Sequence, residues 1–94
     1  MFSDYLADFL EYMEIERGRS LKTIENYSLY LNRFYEFAGD IKVQKISSEL
    51  VSKWRKWLNR YKGEDGREIS KTTQNYHLIA LRSFLKYMAR RDID

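Results

Sequence analysis

Apolar side chains recur at three- and four-residue intervals in four separate runs along the chain, the spacing that places one stripe on one face of a helix. The first run, from a Ser3 cap to about Arg17, carries Tyr5, Leu6, Phe9, Leu10 and Met13, with Ile15 near its end, Asp4 in its first turn and Gly18 as the stop. The second runs from Leu21 to about Ala38 and stops at Gly39, turning Ile24, Tyr27, Leu31, Phe34 and Ala38 inward and Lys22, Asn26, Tyr30 and Arg33 outward. Residues 40–46 alternate apolar and polar like a short strand, but no other segment could pair with them. They are therefore expected to form an extended connector that tucks Ile41, Val43 and Ile46 onto the core. Ser47 or Ser48 caps a third helix to about Tyr61, with Leu50, Val51, Trp54, Leu58 and Tyr61 inward and Trp57 at the margin. A polar loop with two glycines, Lys62 to Glu68, is expected to be the most flexible internal segment. The fourth helix spans Lys71 to Arg90 and buries Leu78, Leu81, Phe84, Leu85 and Met88. Four amphipathic helices joined by short connectors predict an all-α four-helix bundle of two helical hairpins.

The second and fourth runs open alike. Fifty residues apart, Ser20-Leu-Lys-Thr23 and Ser70-Lys-Thr-Thr73 each place a hydroxyl at the N-cap, a second hydroxyl three residues on and a lysine between them. The correspondence continues inward, with Tyr27 over His77, Leu31 over Leu81, Phe34 over Phe84 and Ala38 over Met88. A helix N-terminus has free N–H groups and favours negative charge, so a pair of such entrances suits phosphate. Two ordinary capped helices would leave the same pattern.

Composition narrows the class. The chain has 94 residues, 44% of them hydrophobic and 16% aromatic, which gives one small domain with an aromatic-rich core rather than a disordered segment. It has no proline, consistent with long uninterrupted helices. It has no cysteine, which removes disulfides and thiolate chemistry and fits a reducing, cytoplasmic setting. Neither a long apolar run nor a basic-then-apolar leader is present, so a soluble, unexported domain is expected.

Net charge is only +3, but it is unevenly distributed. Residues 1–18 set Asp4, Asp8, Glu11, Glu14 and Glu16 against Arg17, a balance of −4. Residues 47–62 set Lys53, Arg55, Lys56, Arg60 and Lys62 against Glu49, a balance of +4, and residues 71–94 set Lys71, Arg82, Lys86, Arg90 and Arg91 against Asp92 and Asp94, a balance of +3. A polyanion would meet the later helices and the second entrance while the first helix faced away.

No catalytic constellation is visible. His77 continues the stripe of Leu81 and Phe84, which suits a core or boundary histidine better than a base or ligand. The acids of the first helix are spread around its circumference, no glycine-rich phosphate loop occurs, and the eight tyrosines fall on or beside the apolar stripes. No catalytic residue, cofactor or metal is expected.

Gly18-Arg-Ser20-Leu-Lys-Thr23-Ile-Glu-Asn-Tyr27, followed by Leu31, Phe34 and Phe37, resembles the opening of the second helix in the core-binding domain of tyrosine recombinases, the phage-integrase family. Ser70-Lys-Thr-Thr73, then Leu78, Ala80-Leu-Arg82, Phe84 and Lys86-Tyr87-Met88, resembles the same family's fourth helix. Tyr5, Leu6 and Phe9 through Met13 match its first helix in kind, and Trp54 stands in the connecting helix. The resemblance covers almost the whole chain. It implies an orthogonal, SAM-like bundle that forms the N-terminal half of a clamp on double-stranded DNA, opposite a separate C-terminal catalytic domain of the same parent chain. That second domain carries the family's catalytic residues. The implied role is DNA binding in support of DNA integration or recombination, with no enzymatic activity in these residues. A monomer alone and an oligomer of the parent on DNA are implied.

Carried over by position, Thr23, Asn26, Thr72, Thr73 and Tyr76 would face DNA, while Lys22, Lys71 and Arg82 would contact phosphate, with Arg19 and Lys86 as weaker contributors. Tyr76 departs from the family, which often carries a basic or amide residue there. Asp94 falls about where the family's interdomain linker would begin. The alternative from another class is a small helical protein-interaction module without DNA binding, which would show an exposed apolar groove. A helix-turn-helix repressor needs a turn of three or four residues, shorter than the gap from Lys62 to Ser70.

Overall fold

A computed structural model describes residues 1–63 and 65–91. Glu64 of the predicted loop, and Asp92 and Asp94 of the C-terminal charge balance, lie outside the described residues. Among these residues four helices form, α1 (Phe2–Ile15), α2 (Leu21–Ala38), α3 (Ser48–Arg60) and α4 (Lys71–Arg90), with a 3-10 turn at Val43–Lys45. The shortest extent of the body is 18 Å, two helices thick. Both α2 and α4 pack against all three other helices, so they are the central pair, with α1 and α3 as flanks.

The boundaries of α2 and α4 fall where the sequence put them. The first helix differs: it starts at Phe2 and ends at Ile15, and Ser3 lies inside it. The Ser3 amide and hydroxyl donate instead to the carboxylate of Asp40, at 2.8 and 2.7 Å, tying the start of α1 to the end of α2. Those two donors hold the Asp40 carboxyl below its ordinary value. Gly18, with φ +60°, bends the α1–α2 connector three residues beyond the helix rather than closing the helix itself. The 40–46 connector contains the 3-10 turn in place of a fully extended path; Val43 is buried and Ile41 and Ile46 half-buried, as expected. Ser47, not Ser48, caps α3. In the loop before α4, Lys62 and Glu68 form an isolated antiparallel bridge, and Gly66 takes the positive φ of +75° that its turn requires.

The two hairpins repeat each other in three dimensions. Phe9 of α1 meets Phe84 edge-on at 5.5 Å, and Trp54 of α3 meets Phe34 edge-on at 5.0 Å. Phe9 lies 6.4 Å from Tyr27, and Trp54 lies 6.0 Å from His77. Tyr12 packs on Tyr87 as Trp57 packs on Phe37. In each comparison α2 maps onto α4 with the fifty-residue shift seen in the sequence, while the shift from α1 to α3 is five residues shorter because the α3–α4 connector is longer. Phe2 sits between the halves, 5.2 Å from Phe34 and 5.0 Å from the equivalent Phe84. The body is an approximate two-fold arrangement of hairpins with Phe2 near its axis.

Two outward assignments need correction. Tyr30, expected opposite the core, is buried, and Arg33 is half-buried. A helix with a single neighbour buries one narrow stripe, whereas α2 touches three helices and its buried arc extends to both residues. On α4 the same widening buries Gln74, Ala80 and Tyr87 beside the expected stripe. Ile15, expected on the core side, is exposed beyond the last turn that packs.

Candidate nucleic-acid interface

The two entrances have the same geometry. Ser20 and Ser70 adopt extended backbone, and each hydroxyl accepts from the amide three residues on, Thr23 or Thr73, at 3.2 Å. In both, the serine and threonine hydroxyls lie 3.0 Å apart. These bonds use the third amide of each helix; those of Leu21 and Lys22, and of Lys71 and Thr72, have no intrahelical acceptor and point out of the helix end. Thr23 and Thr73 are thus half-buried and partly committed to their own caps, whereas Thr72 is exposed.

Contacts between the central helices fix where the entrances lie. Tyr30 stacks on His77 at 4.2 Å, and the Arg33 guanidinium reaches the same ring. Nearer the start of α2, Tyr27 lines a cleft with Ser83, Lys86 and Arg90. The start of α2 therefore lies beside the end of α4, and the reverse, which puts the entrances at opposite ends of one antiparallel pair. Between them, residues at helical spacing form two rows: Lys22, Asn26 and Leu29 on α2, and Thr72, Tyr76, Ile79, Ser83 and Lys86 on α4. Leu29, Tyr76 and Ile79 are 48%, 50% and 44% exposed, an unusual load of large apolar groups amid polar neighbours.

Of the eight positions singled out in the sequence, Lys22, Thr23, Asn26, Thr72, Thr73 and Tyr76 belong to this face. Lys71 and Arg82 do not. The Lys71 ammonium donates to the Asn59 side chain of α3 at 2.9 Å, and Arg82 lines a groove with Val51 and Arg55. They belong to a basic flank between α3 and α4 that also carries Lys56 and Arg60. The sequence showed Lys56 and Arg60 as part of a charge balance only, because the flank exists once α3 packs beside α4. Among the described residues, the ion pairs are Met1 with Asp4, Lys53 with Glu49 and Arg67 with Asp65, so Lys22, Arg82, Lys86 and Arg90 have no carboxylate partner.

His77 is a core residue, as its stripe indicated. It is fully buried; its Nδ1–H donates to the Thr73 carbonyl at 2.7 Å, which leaves Nε2 to accept from Arg33 at 3.0 Å. Burial, with a smaller contribution from Arg33, holds it below the ordinary histidine value, against the Thr73 bond. Arg33 also lies over the Tyr61 ring at 5.0 Å. Burial raises the Tyr30 hydroxyl above its ordinary value, against the pull of Arg33. Tyr30 and Arg33 are thus structural pins of the α2–α4 contact. No group of histidine, aspartate and glutamate among the described residues could hold a metal ion, and no described helix is long and apolar enough to cross a membrane.

In a comparison with protein families, the model for the N-terminal SAM-like domain of phage integrase matches residues 6–92. The chain belongs to that family. Neither a curated protein nor a solved structure matches it. As a phage-integrase SAM-like domain it stands in the tyrosine recombinase context, and its four-helix, all-α body is the fold that membership entails. The match takes in every helix apart from the first residues of α1, so both entrances belong to the family's domain.

Proposed function

We propose that this integrase SAM-like domain binds duplex DNA through α2 and α4, gripping the backbone at their two N-termini, and so positions a catalytic domain of its parent for DNA integration or recombination. The observation that carries the reading is the pair of identically capped entrances at the two ends of one antiparallel helix pair. Arg33 faces His77, one helical turn inside the second entrance, so the two grips stand more than about 15 Å apart along α2 and can meet separate phosphates of one duplex. Phosphate contacts of this kind fix register and carry no sequence information. On this face Lys22 supplies backbone contacts and Asn26, Thr72 and Tyr76 face the bases, while Lys71 and Arg82, on the α3–α4 flank, contact the backbone beside it.

The test is a duplex titration across salt. The domain alone is expected to bind with Kd on the order of 10⁻⁴ to 10⁻⁶ M, with affinity falling as salt rises. Affinity indifferent to salt would reject the reading, and concentration-dependent self-association without any response to DNA would favour an interaction module. Thr23→Glu with Thr73→Glu is the discriminating variant. It converts each entrance into Ser-x-x-Glu, a capping box that preserves the helix start, while placing a carboxylate where a phosphate would lie. DNA binding is expected to be lost with the fold intact.

A further inference from the structure

At the end of the bundle where α2 begins, Arg17 and Arg19 from the α1–α2 connector and Lys86 and Arg90 from α4 line one cleft of about 180 Å³. Tyr27 and Ser83 add hydroxyl-bearing walls, and among the described residues no acidic side chain lines it. Asp8 and Glu11 of α1, with Glu16 just beyond its end, line a separate hollow with Arg91, and Tyr12 and Tyr87 border both. Four cations converge with no carboxylate among the described lining residues.

The two-fold relation shows that the fold does not require this cleft. The fifty-residue shift places Lys86 over Glu36 and Arg90 over Asp40, so the corresponding end of α2 carries acids. There the Trp57 and Phe37 rings pack at 5.8 Å, as Tyr12 and Tyr87 do beside the cleft, while Arg33, in the place of Ser83, lies over the Tyr61 ring. The body is alike at both ends in its core and differs in charge, one end carrying the four cations. Gathering like charges in a hollow is unfavourable unless an anion shares it.

We propose that this cleft holds a backbone phosphate of the duplex bound by α2 and α4, making it a third grip beside the two helix entrances. The proposal rests on the DNA-binding reading above and extends it to a specific place. Two features favour a duplex phosphate over a free anion. Arg19 directly precedes the Ser20 cap, whose helix presents the unbonded amides of Leu21 and Lys22. Lys86 and Arg90 continue the α4 row of exposed Thr72, Tyr76 and Ile79 and half-buried Ser83, so a strand following that face runs into the cleft.

The test compares the wild-type chain with Arg19→Gln/Arg90→Gln, both exposed positions, and with Lys53→Gln, an exposed cation of α3 already paired with Glu49. Duplex affinity is measured by anisotropy over a salt series, with circular dichroism confirming the fold. Each lost phosphate contact is expected to lower the log–log salt slope by about 1, so the double variant should lose about one unit of slope and roughly tenfold in affinity while Lys53→Gln changes neither. A double variant that keeps the wild-type slope while the wild type binds normally overturns the cleft assignment and leaves the DNA reading standing. A wild type that does not bind duplex at all overturns both. A parallel titration with inorganic phosphate, followed by amide shifts of Arg19 and Ser20, separates the sources. Shifts abolished in the double variant while its salt slope stays at the wild-type value would assign the cleft to a free anion and overturn the duplex phosphate.

Discussion

The α1–α2 and α3–α4 hairpins share a packing plan and differ in almost everything they present to solvent. Inside, Phe9 and Trp54 fill equivalent sockets, each edge-on to a phenylalanine of the opposite hairpin. Outside, the first helix of one hairpin carries four acids and the first helix of the other carries a cluster of arginines and lysines. Packing density constrains only the inner positions, so the outer faces of a repeated fold are free to diverge. What survives on both surfaces is the Ser-x-x-Thr entrance. Its presence on two otherwise dissimilar faces supports a shared demand at the helix starts, and the charge difference indicates which side of the body an anion would approach.

The largest expected effect tests the internal equivalence. Phe9→Ala should destabilise the domain by about 3–5 kcal/mol in urea unfolding, the range for deleting a fully buried aromatic ring. Trp54 differs from its counterpart in one respect, because its indole N–H is buried without an acceptor among the described residues. Leaving such a donor unpaired costs about 1–3 kcal/mol, which Trp54→Phe would remove while opening a modest cavity. Trp54→Phe is therefore expected to cost less than about 2 kcal/mol. A loss as large as that of Phe9→Ala would mean that the indole N–H is not the liability its surroundings indicate.

The repeat was legible in sequence because its carriers are local: a capping serine, a threonine three residues on, and apolar positions at fixed spacing. That sufficed to place α2 and α4 to the residue. It failed at the start of α1, where Ser3 has the composition of a cap but its partner is Asp40, thirty-seven residues away. No local pattern encodes that bond. It failed again at Tyr30 and Arg33, because helical periodicity identifies the centre of a buried face while the width of that face depends on the number of neighbouring helices. The site divides for the same reason. Lys71 and Arg82 are on the predicted helix, but the packing of α3 turns them to a flank, and the cleft formed by Arg17, Arg19, Lys86 and Arg90 joins segments far apart in the chain.

Surface charge gives the next effect in size. If the basic hairpin contributes the electrostatic share of binding, Lys71→Gln with Arg82→Gln should lower duplex affinity roughly tenfold and reduce the salt slope by about 2. Glu11→Gln with Glu14→Gln on the acidic hairpin should leave the slope unchanged. Equal responses from the two pairs would mean that the domain has no preferred side. The caps sharpen the comparison further. Ser20→Ala and Ser70→Ala should each cost about 0.5–2 kcal/mol of stability, and by similar amounts, since both hydroxyls accept from the third amide at the same distance. A large disparity in thermal unfolding would show that one entrance is held by more than its cap.

The smallest difference lies where Tyr27 of one hairpin is replaced by His77 in the other. The groups facing His77 are Tyr30 and Arg33 of α2, Trp54 of α3 and the Thr73 carbonyl of its own helix, and Arg33 supplies the charge. With its folded value held below the ordinary 6.5, the unfolded chain takes up a proton before the native one does as the medium is acidified. Stability should therefore fall as pH drops through about 6.5 and level off only below the folded value. Asp40 acts in a separate window: its carboxyl lies below 3.8 in the native state, so its contribution is complete above that value and is lost on further acidification. His77→Phe keeps a ring against Tyr30 and Trp54 but has nothing to titrate. Its urea midpoint should be lower at neutral pH, since Arg33 loses its acceptor, yet flat from about pH 7 to 5, with the loss below pH 4 retained. A variant that keeps the wild-type slope near 6.5 would assign that slope to another group, and the second hairpin would then differ from the first in shape and charge but not in its response to acid.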